Sequence, residues 1–208
     1  MALDREIVVR TALRVLDEVG LEGLTLRKIA AALDVQAPAL YWHFKNKQAL
    51  LDEMATTVFA DTIRDSGLPS ADGTWAEWAA AYGQELRQML LRYRDGAKMF
   101  SGTYLTDSAL YAPMDVALRK FTDAGFALPE AISGLATIYY YTVGFTIEEQ
   151  AIYPRPGERN PQYDPDKRAE RIDSAKFPLA LAAGAALFSG FDERFEQGLQ
   201  IIIRGLQP

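Results

Sequence analysis

The chain has no cysteine in its 208 residues. Disulfides, thiolate metal sites and thiol nucleophiles are therefore excluded, and a reducing, cytoplasmic setting is expected. Histidine is almost as scarce: His43 stands alone, so the remainder of the chain offers no imidazole for acid–base work. No Gly-rich phosphate loop is present. Glu148 and Glu149 are adjacent, but neighbours on a helix point about 100° apart and make no acid–base pair on one face. Long hydrophobic runs are missing too. The opening MALDREIVVR turns charged at once, unlike a secretory signal, and PLALAAGAALFSG is too short to cross a bilayer. Strand-like alternation is also lacking. These absences point away from an enzyme, a membrane protein and a β fold.

What remains is an ordinary globular composition, 49% hydrophobic and 24% charged, sufficient for one sizeable core or for a small and a medium domain. The net charge of −6 argues against general coating of nucleic acid, because phosphate binding needs local positive charge. Residues 1–47 differ from the rest. They hold seven Lys/Arg and six Asp/Glu, about +1, which leaves fifteen against twenty-two, about −7, beyond them. Any nucleic-acid contact is expected in that first stretch.

Helical spacing recurs throughout, so the expected fold is all-α. Val8, Ala12, Val15, Leu16 and Val19 share one face of a first helix, with Asp4 as its cap and Gly20 as its stop. Thr25 caps a second helix running to about Ala32, and Leu24 and Ile29 stand where a hydrophobic staple fixes its entry. A very short LDV connection follows, in which Asp34 suits a left-handed backbone. The third helix holds Pro38 in its first turn, where a missing N–H costs nothing. Two short helices across a tight turn make a helix-turn-helix. Asn46 caps a long fourth helix, about 47–64. Beyond the turn-rich SGLPSADGT, helices are expected at about 74–92, 95–101, 107–124, 128–153, 167–177, 178–189 and 191–206. YPRPGERNPQYDPDK, with four prolines, reads as a loop. The implied organisation is a helix-turn-helix head (1–47), a connecting helix (48–66) and a larger helical body (67–208).

The stretch QAPALYWHFKNK carries the chemistry. Burial of Val35, Leu40 and Phe44 leaves Gln36, Ala37, Ala39, Tyr41, Trp42 and His43 largely outside. Small residues at 37 and 39 allow close approach to a surface. Tyr and His donate to phosphate oxygens, and Trp packs on sugar or thymine methyl groups. Lys45 and Lys47 add charge beside the free N–H groups of the fourth helix, and Arg27 and Lys28 flank the same groove. On pattern alone a second reading stays open, in which the aromatics are core and the lysines merely solvated.

LTLRKIAAALDVQAPALYWHFKNKQALLDEM resembles the head of the TetR family, and YWH followed by FKNK is especially similar to its tetracycline repressors. LLRYRDGAKMF with GTYL, YTVGFTIEEQ and FEQGLQIIIRGLQ resemble the regulatory body of that class. The resemblance covers most of the chain, most weakly over 62–82 and 153–190. It implies a homodimeric, ligand-responsive repressor that binds a double-stranded, palindromic operator and is released by a small-molecule inducer. It also implies that Thr25, Arg27, Lys28, Gln36, Ala37, Pro38, Ala39, Tyr41, Trp42, His43, Lys45 and Lys47 form the DNA-binding set. Ala37 replaces a longer base-reading side chain, so the operator is expected to differ. Dimerisation is expected through helices 128–153 and 191–206. In the latter, Phe195, Leu199, Ile202, Ile203 and Leu206 form an apolar stripe, with Gly198 and Gly205 for close approach.

The pocket departs from that class. Tetracycline repressors hold the drug as a magnesium chelate with a body imidazole among the ligands, and the matching position here is Phe100. Phenylalanine offers no lone pair to Mg²⁺, so no cofactor, and in particular no Mg–tetracycline, is expected. Tyr82, Tyr104, Ala117 and Tyr140 replace further polar contacts. With Leu86, Leu90, Thr103, Met114, Leu118, Leu135 and Tyr139 they imply an aromatic, largely apolar cavity. Glu148 approaches the partner's pocket in the family. The expected ligand is a flat aromatic or polyketide-like molecule with few hydroxyls. The alternatives are a ligand-binding dimer without DNA readout, a filled cavity, and a tetracycline-responsive repressor with an altered metal site.

Overall fold

The computed structural model describes residues 3–67, 69 and 72–208. The fold is all-α, built in chain order from α1 (Arg5–Gly23), α2 (Leu26–Ala32), α3 (Ala37–Tyr41), α4 (Lys47–Ser66), α5 (Trp75–Leu91), α6 (Gly96–Phe100), α7 (Tyr111–Thr122), α8 (Leu128–Ile152), α9 (Pro165–Ala169), α10 (Pro178–Leu187) and α11 (Phe191–Gly205). Among the described residues, the one isolated β-bridge joins Arg155 to Glu158. No helix there is long and apolar enough to cross a membrane. The SGLPSADGT break falls partly outside the described residues.

The local signals in the head act as their chemistry requires. Asp4 accepts from the Ile7 N–H at 2.8 Å, Thr25 from Lys28 at 3.2 Å and Asn46 from Ala49 at 2.8 Å. Each such cap satisfies an orphan donor and contributes about 1 kcal/mol. Gly20 breaks α1 with φ 73°, and Asp34 makes the tight turn with φ 54°. The staple pair Leu24 and Ile29 is buried, as are Val8, Ala12, Val15 and Leu16. α3 is shorter than its apolar spacing suggests and ends at Tyr41, but the Phe44 N–H still reaches the Leu40 carbonyl at 2.9 Å. That extra turn keeps Leu40 and Phe44 in the core at 0% and 1% exposure.

α4 packs on both α1 and α6. A single hydrophobic core therefore runs from Val8, Leu16 and Leu40 through Leu50 and Met54 to Leu86, Met89, Leu90 and Phe100. A second core, centred on Trp78, Phe121, Ile138, Phe195 and Leu199, joins α5, α7, α8 and α11.

Two expectations for the body are corrected. The helix foreseen at 167–177 covers only Pro165–Ala169. Asp164 caps it by accepting from Asp166 and Lys167, and Asp173 turns the chain by accepting from Ala175 and Lys176. Pro165 opens this helix at a position that needs no N–H donor, so the proline-rich loop ends earlier than foreseen. The stripe on α11 is also spent differently. Phe195, Leu199 and Ile203 are buried inside their own subunit, and a Cβ at Gly198 would meet the Tyr141 hydroxyl. The Tyr141 hydroxyl already donates to the Phe195 carbonyl at 2.9 Å. Gly205, by contrast, is open.

Candidate functional site

The head seals one side of its third helix and leaves the other bare. Tyr41 is 57% and Trp42 90% exposed, so the reading in which these aromatics are core fails. Gln36, Pro38 and Lys45 are exposed beside them, Ala37 and Ala39 are half-buried, and Arg27 and Lys28 project from α2. An exposed Trp–Tyr pair on so small a head marks a contact surface. Some members of the set are already engaged. Thr25 uses its hydroxyl as the cap of α2, and Lys47 donates to the Leu21 carbonyl at 3.1 Å. His43 is half-buried, and its carbonyl accepts from Arg5 at 2.7 Å.

In the body, a cavity of about 390 Å³ opens between α4, α5, α7, α8 and the 104–110 segment. Tyr82, Tyr104, Met114, Ala117, Leu135 and Tyr139 line it, together with Phe59, Trp78, Leu105, Asp107, Leu110, Tyr111, Pro113 and Ala136. Tyr104, Tyr111 and Met114 form its exposed rim. Burial pushes the Tyr82 phenol up to about 12, and burial likewise raises Tyr139. A hydrogen bond to Tyr104 raises Tyr111.

Seven expected pocket residues lie elsewhere. Phe100 is buried behind the wall, its ring 6.5 Å from Phe59 and 6.4 Å from Tyr139. Leu86 and Leu90 belong to the first core and Leu118 packs against the second. The Thr103 hydroxyl donates to the Phe100 carbonyl at 2.6 Å. On α8, Leu135 and Tyr139 share a face, but Tyr140 is turned about 100° away and is 69% exposed. Glu148 is exposed on α8 and does not line this cavity. Its neighbour Glu149 is buried and accepts two hydrogen bonds from Arg87, at 2.6 and 2.8 Å. Trp78 and Tyr111 were missed, although Trp78 stands four residues before Tyr82 and Tyr111 three before Met114, each within one helical face.

Phe100, which stands where the resemblance sets a metal-binding imidazole, has no donor atom, and no histidine lines the cavity.

Residues 8–54 match the family model of bacterial regulatory proteins, tetR family, and residues 68–208 match that of the tetracyclin repressor-like C-terminal domain. The chain belongs to the TetR family. It is 41% identical over 206 residues to the tetracycline repressor protein class A from transposon 1721 of Escherichia coli, covering 98% of this chain and 90% of that protein. A solved structure of a possible TetR family transcriptional regulator from Streptomyces coelicolor A3(2) is similar with a TM-score of 0.84 at 37% identity, covering 98% of both chains. The Streptomyces coelicolor TetR family protein ActR, in complex with actinorhodin, gives a TM-score of 0.81 at 26% identity, covering 99% of this chain and 97% of that one. This TetR-family chain is thus a ligand-responsive transcriptional repressor with a helix-turn-helix DNA-binding head. Its relatives are regulators, not enzymes.

Proposed function

We propose that the chain acts in the cytoplasm as a homodimer whose two heads read a palindromic operator, and that an aromatic, largely apolar inducer in the cavity releases it. The observation that carries this reading is the pairing of a bare Tyr41–Trp42 face with an aromatic cavity in one molecule. Recognition helices of such a dimer must stand about one turn of DNA apart, roughly 34–36 Å. A ligand that binds a wider spacing better weakens operator affinity in proportion to that preference.

The dimer forms through the outward faces of α8 and α11. Tyr140 and Ile201 are exposed there at 69% and 71%, and neither Gly144 nor Gly205 has anything near the place of a Cβ, which allows close backbone approach. Glu148 lies on the same α8 face. The inducer is not Mg–tetracycline, because the cavity chemistry supplies no metal ligand where an imidazole is needed.

The test selects a duplex from a random pool with the full chain and then titrates it. Trp42 emission is expected to change on binding, and Arg27→Ala is expected to weaken specific binding about tenfold or more with the thermal midpoint unchanged. Failure to enrich any duplex refutes the reading. Tetracycline with Mg²⁺ is expected to give no thermal shift and no release.

A further inference from the structure

We infer that the cavity takes a flat aromatic ligand carrying a protonated amine, with its rings among the inner aromatic side chains and its ammonium at the mouth beside Asp107. The inference rests on the cavity being the inducer site, and it names the charge that the ligand brings. Polarity changes along the depth of the wall. Trp78 and Ala117 are buried and Phe59, Tyr82, Leu135 and Tyr139 half-buried, whereas Tyr104, Asp107, Tyr111 and Met114 are exposed. Burial keeps the phenols of Tyr82 and Tyr139 protonated well past neutral pH. The inner wall therefore holds no charge to match one on a ligand, and a charge pushed into it would be desolvated without compensation. Rings belong inside and charge at the mouth.

The sign of that charge follows from the mouth. No Lys, Arg or His lines the cavity, and among its described lining residues Asp107 is the one charged side chain. On its other side Asp107 borders a cleft whose arginines have carboxylates of their own: Arg5 pairs with Glu53, and Arg10 and Arg64 with Asp61. A carboxylate has two oxygens, so it can accept from an ammonium as well as from the chain. Tyr104 and Tyr111, whose hydroxyls share a hydrogen bond, add ring faces at the rim, and such faces attract cations. The wider field has the same sign. Beyond residue 47 the chain carries fifteen Lys/Arg against twenty-two Asp/Glu, which draws cations toward the body and repels anions. A volume of about 390 Å³ suits a body of about three fused rings.

Fluorescence titration of the full chain at neutral pH with three anthracenes tests the inference. One bears a methylaminomethyl group and is a cation, one a hydroxymethyl group and is neutral, and one a carboxylate. The amine is expected to bind about tenfold tighter than the alcohol, and the carboxylate to bind weakest. Asp107→Asn keeps the shape and deletes the charge. It is expected to bring the amine down to the affinity of the alcohol and to leave the alcohol unchanged. Glu193→Gln removes an exposed carboxylate of α11 that does not line the cavity, and is expected to change neither. Equal affinities for amine and alcohol, an unaffected Asp107→Asn variant, equal losses in the two variants, or no binding by any probe overturns the inference. The wild-type comparison stands even if a variant fails to fold. Operator release is a separate readout: an amine that binds as expected without releasing operator defeats the inducer reading and leaves the ligand's charge intact.

Discussion

Arg5 ties the reading segment to the connecting helix: one guanidinium nitrogen donates to the His43 carbonyl at 2.7 Å and another to Glu53 at 2.6 Å. Its guanidinium carbon also lies 4.6 Å from the centre of the Phe44 ring. The same face of α4 holds the cavity wall, since Tyr104 N–H donates to Asp52 at 3.1 Å and Thr106 N–H to the Thr56 hydroxyl at 2.9 Å. Arg5→Gln is therefore expected to speed hydrogen exchange at the His43 and Phe44 amides and to weaken operator binding about threefold to tenfold. The thermal midpoint should change little, because an exposed ion pair is worth at most about 1 kcal/mol. Unchanged exchange and affinity would show that the contact does not position the reading segment.

A pH dependence follows from Asp61. The side-chain hydrogen bond from Arg10 lowers its pKa below the usual carboxylate range, and Arg64 adds to the effect. A depressed folded-state pKa stabilises the fold above the unfolded value of about 3.9, and the contribution is lost as pH falls through the folded value. Denaturant melts between pH 7 and pH 3 are expected to show wild type losing about 1 kcal/mol more than Asp61→Asn. Parallel losses would remove this pair from the account of acid sensitivity.

Buried charge makes the opposite demand at Arg87. It pairs with Glu149, reaches Asp192 at 2.7 Å, and stands 5.1 Å from the Phe195 ring centre. Glu149→Ala leaves that cation with the exposed Asp192 as its remaining partner and is expected to cost about 2–3 kcal/mol. The double change Arg87→Met with Glu149→Leu should recover most of it, as measured by urea unfolding.

Oligomeric state supplies a fourth check. Ile201 is 71% exposed on α11 and is covered only slightly by its own chain. Ile201→Glu is expected to give a folded monomer in sedimentation velocity, with operator binding lost. A dimer of unchanged affinity would move the interface off this face.

The head was the most legible part of the sequence because its signals are local. Asp4, Thr25 and Asn46 cap at fixed offsets, and Asp34 and Pro38 impose backbone geometry that no distant contact overrides. The body was legible only in outline. Periodicity marks Phe195, Leu199 and Ile203 as apolar, but it cannot say whether α5 and α8 or a second subunit will cover them. The same ambiguity affects the cavity. Tyr139 and Tyr140 look alike in sequence, and only the rotation of α8 puts one inside and the other out. Phe100 packs against Phe59 and Tyr139, two rings of the wall, and does not itself line the space.

The unbroken core beneath α4 sets how the molecule comes apart. Leu16, Leu40 and Met54 rest in the same apolar mass as Met89 and Phe100. Cutting the chain after residue 66 would lay that seam open to water, so an amino-terminal fragment should be a poor surrogate for the reading unit. Calorimetry of the intact chain should show one cooperative peak spanning both parts, because neither keeps its own interior when the other melts.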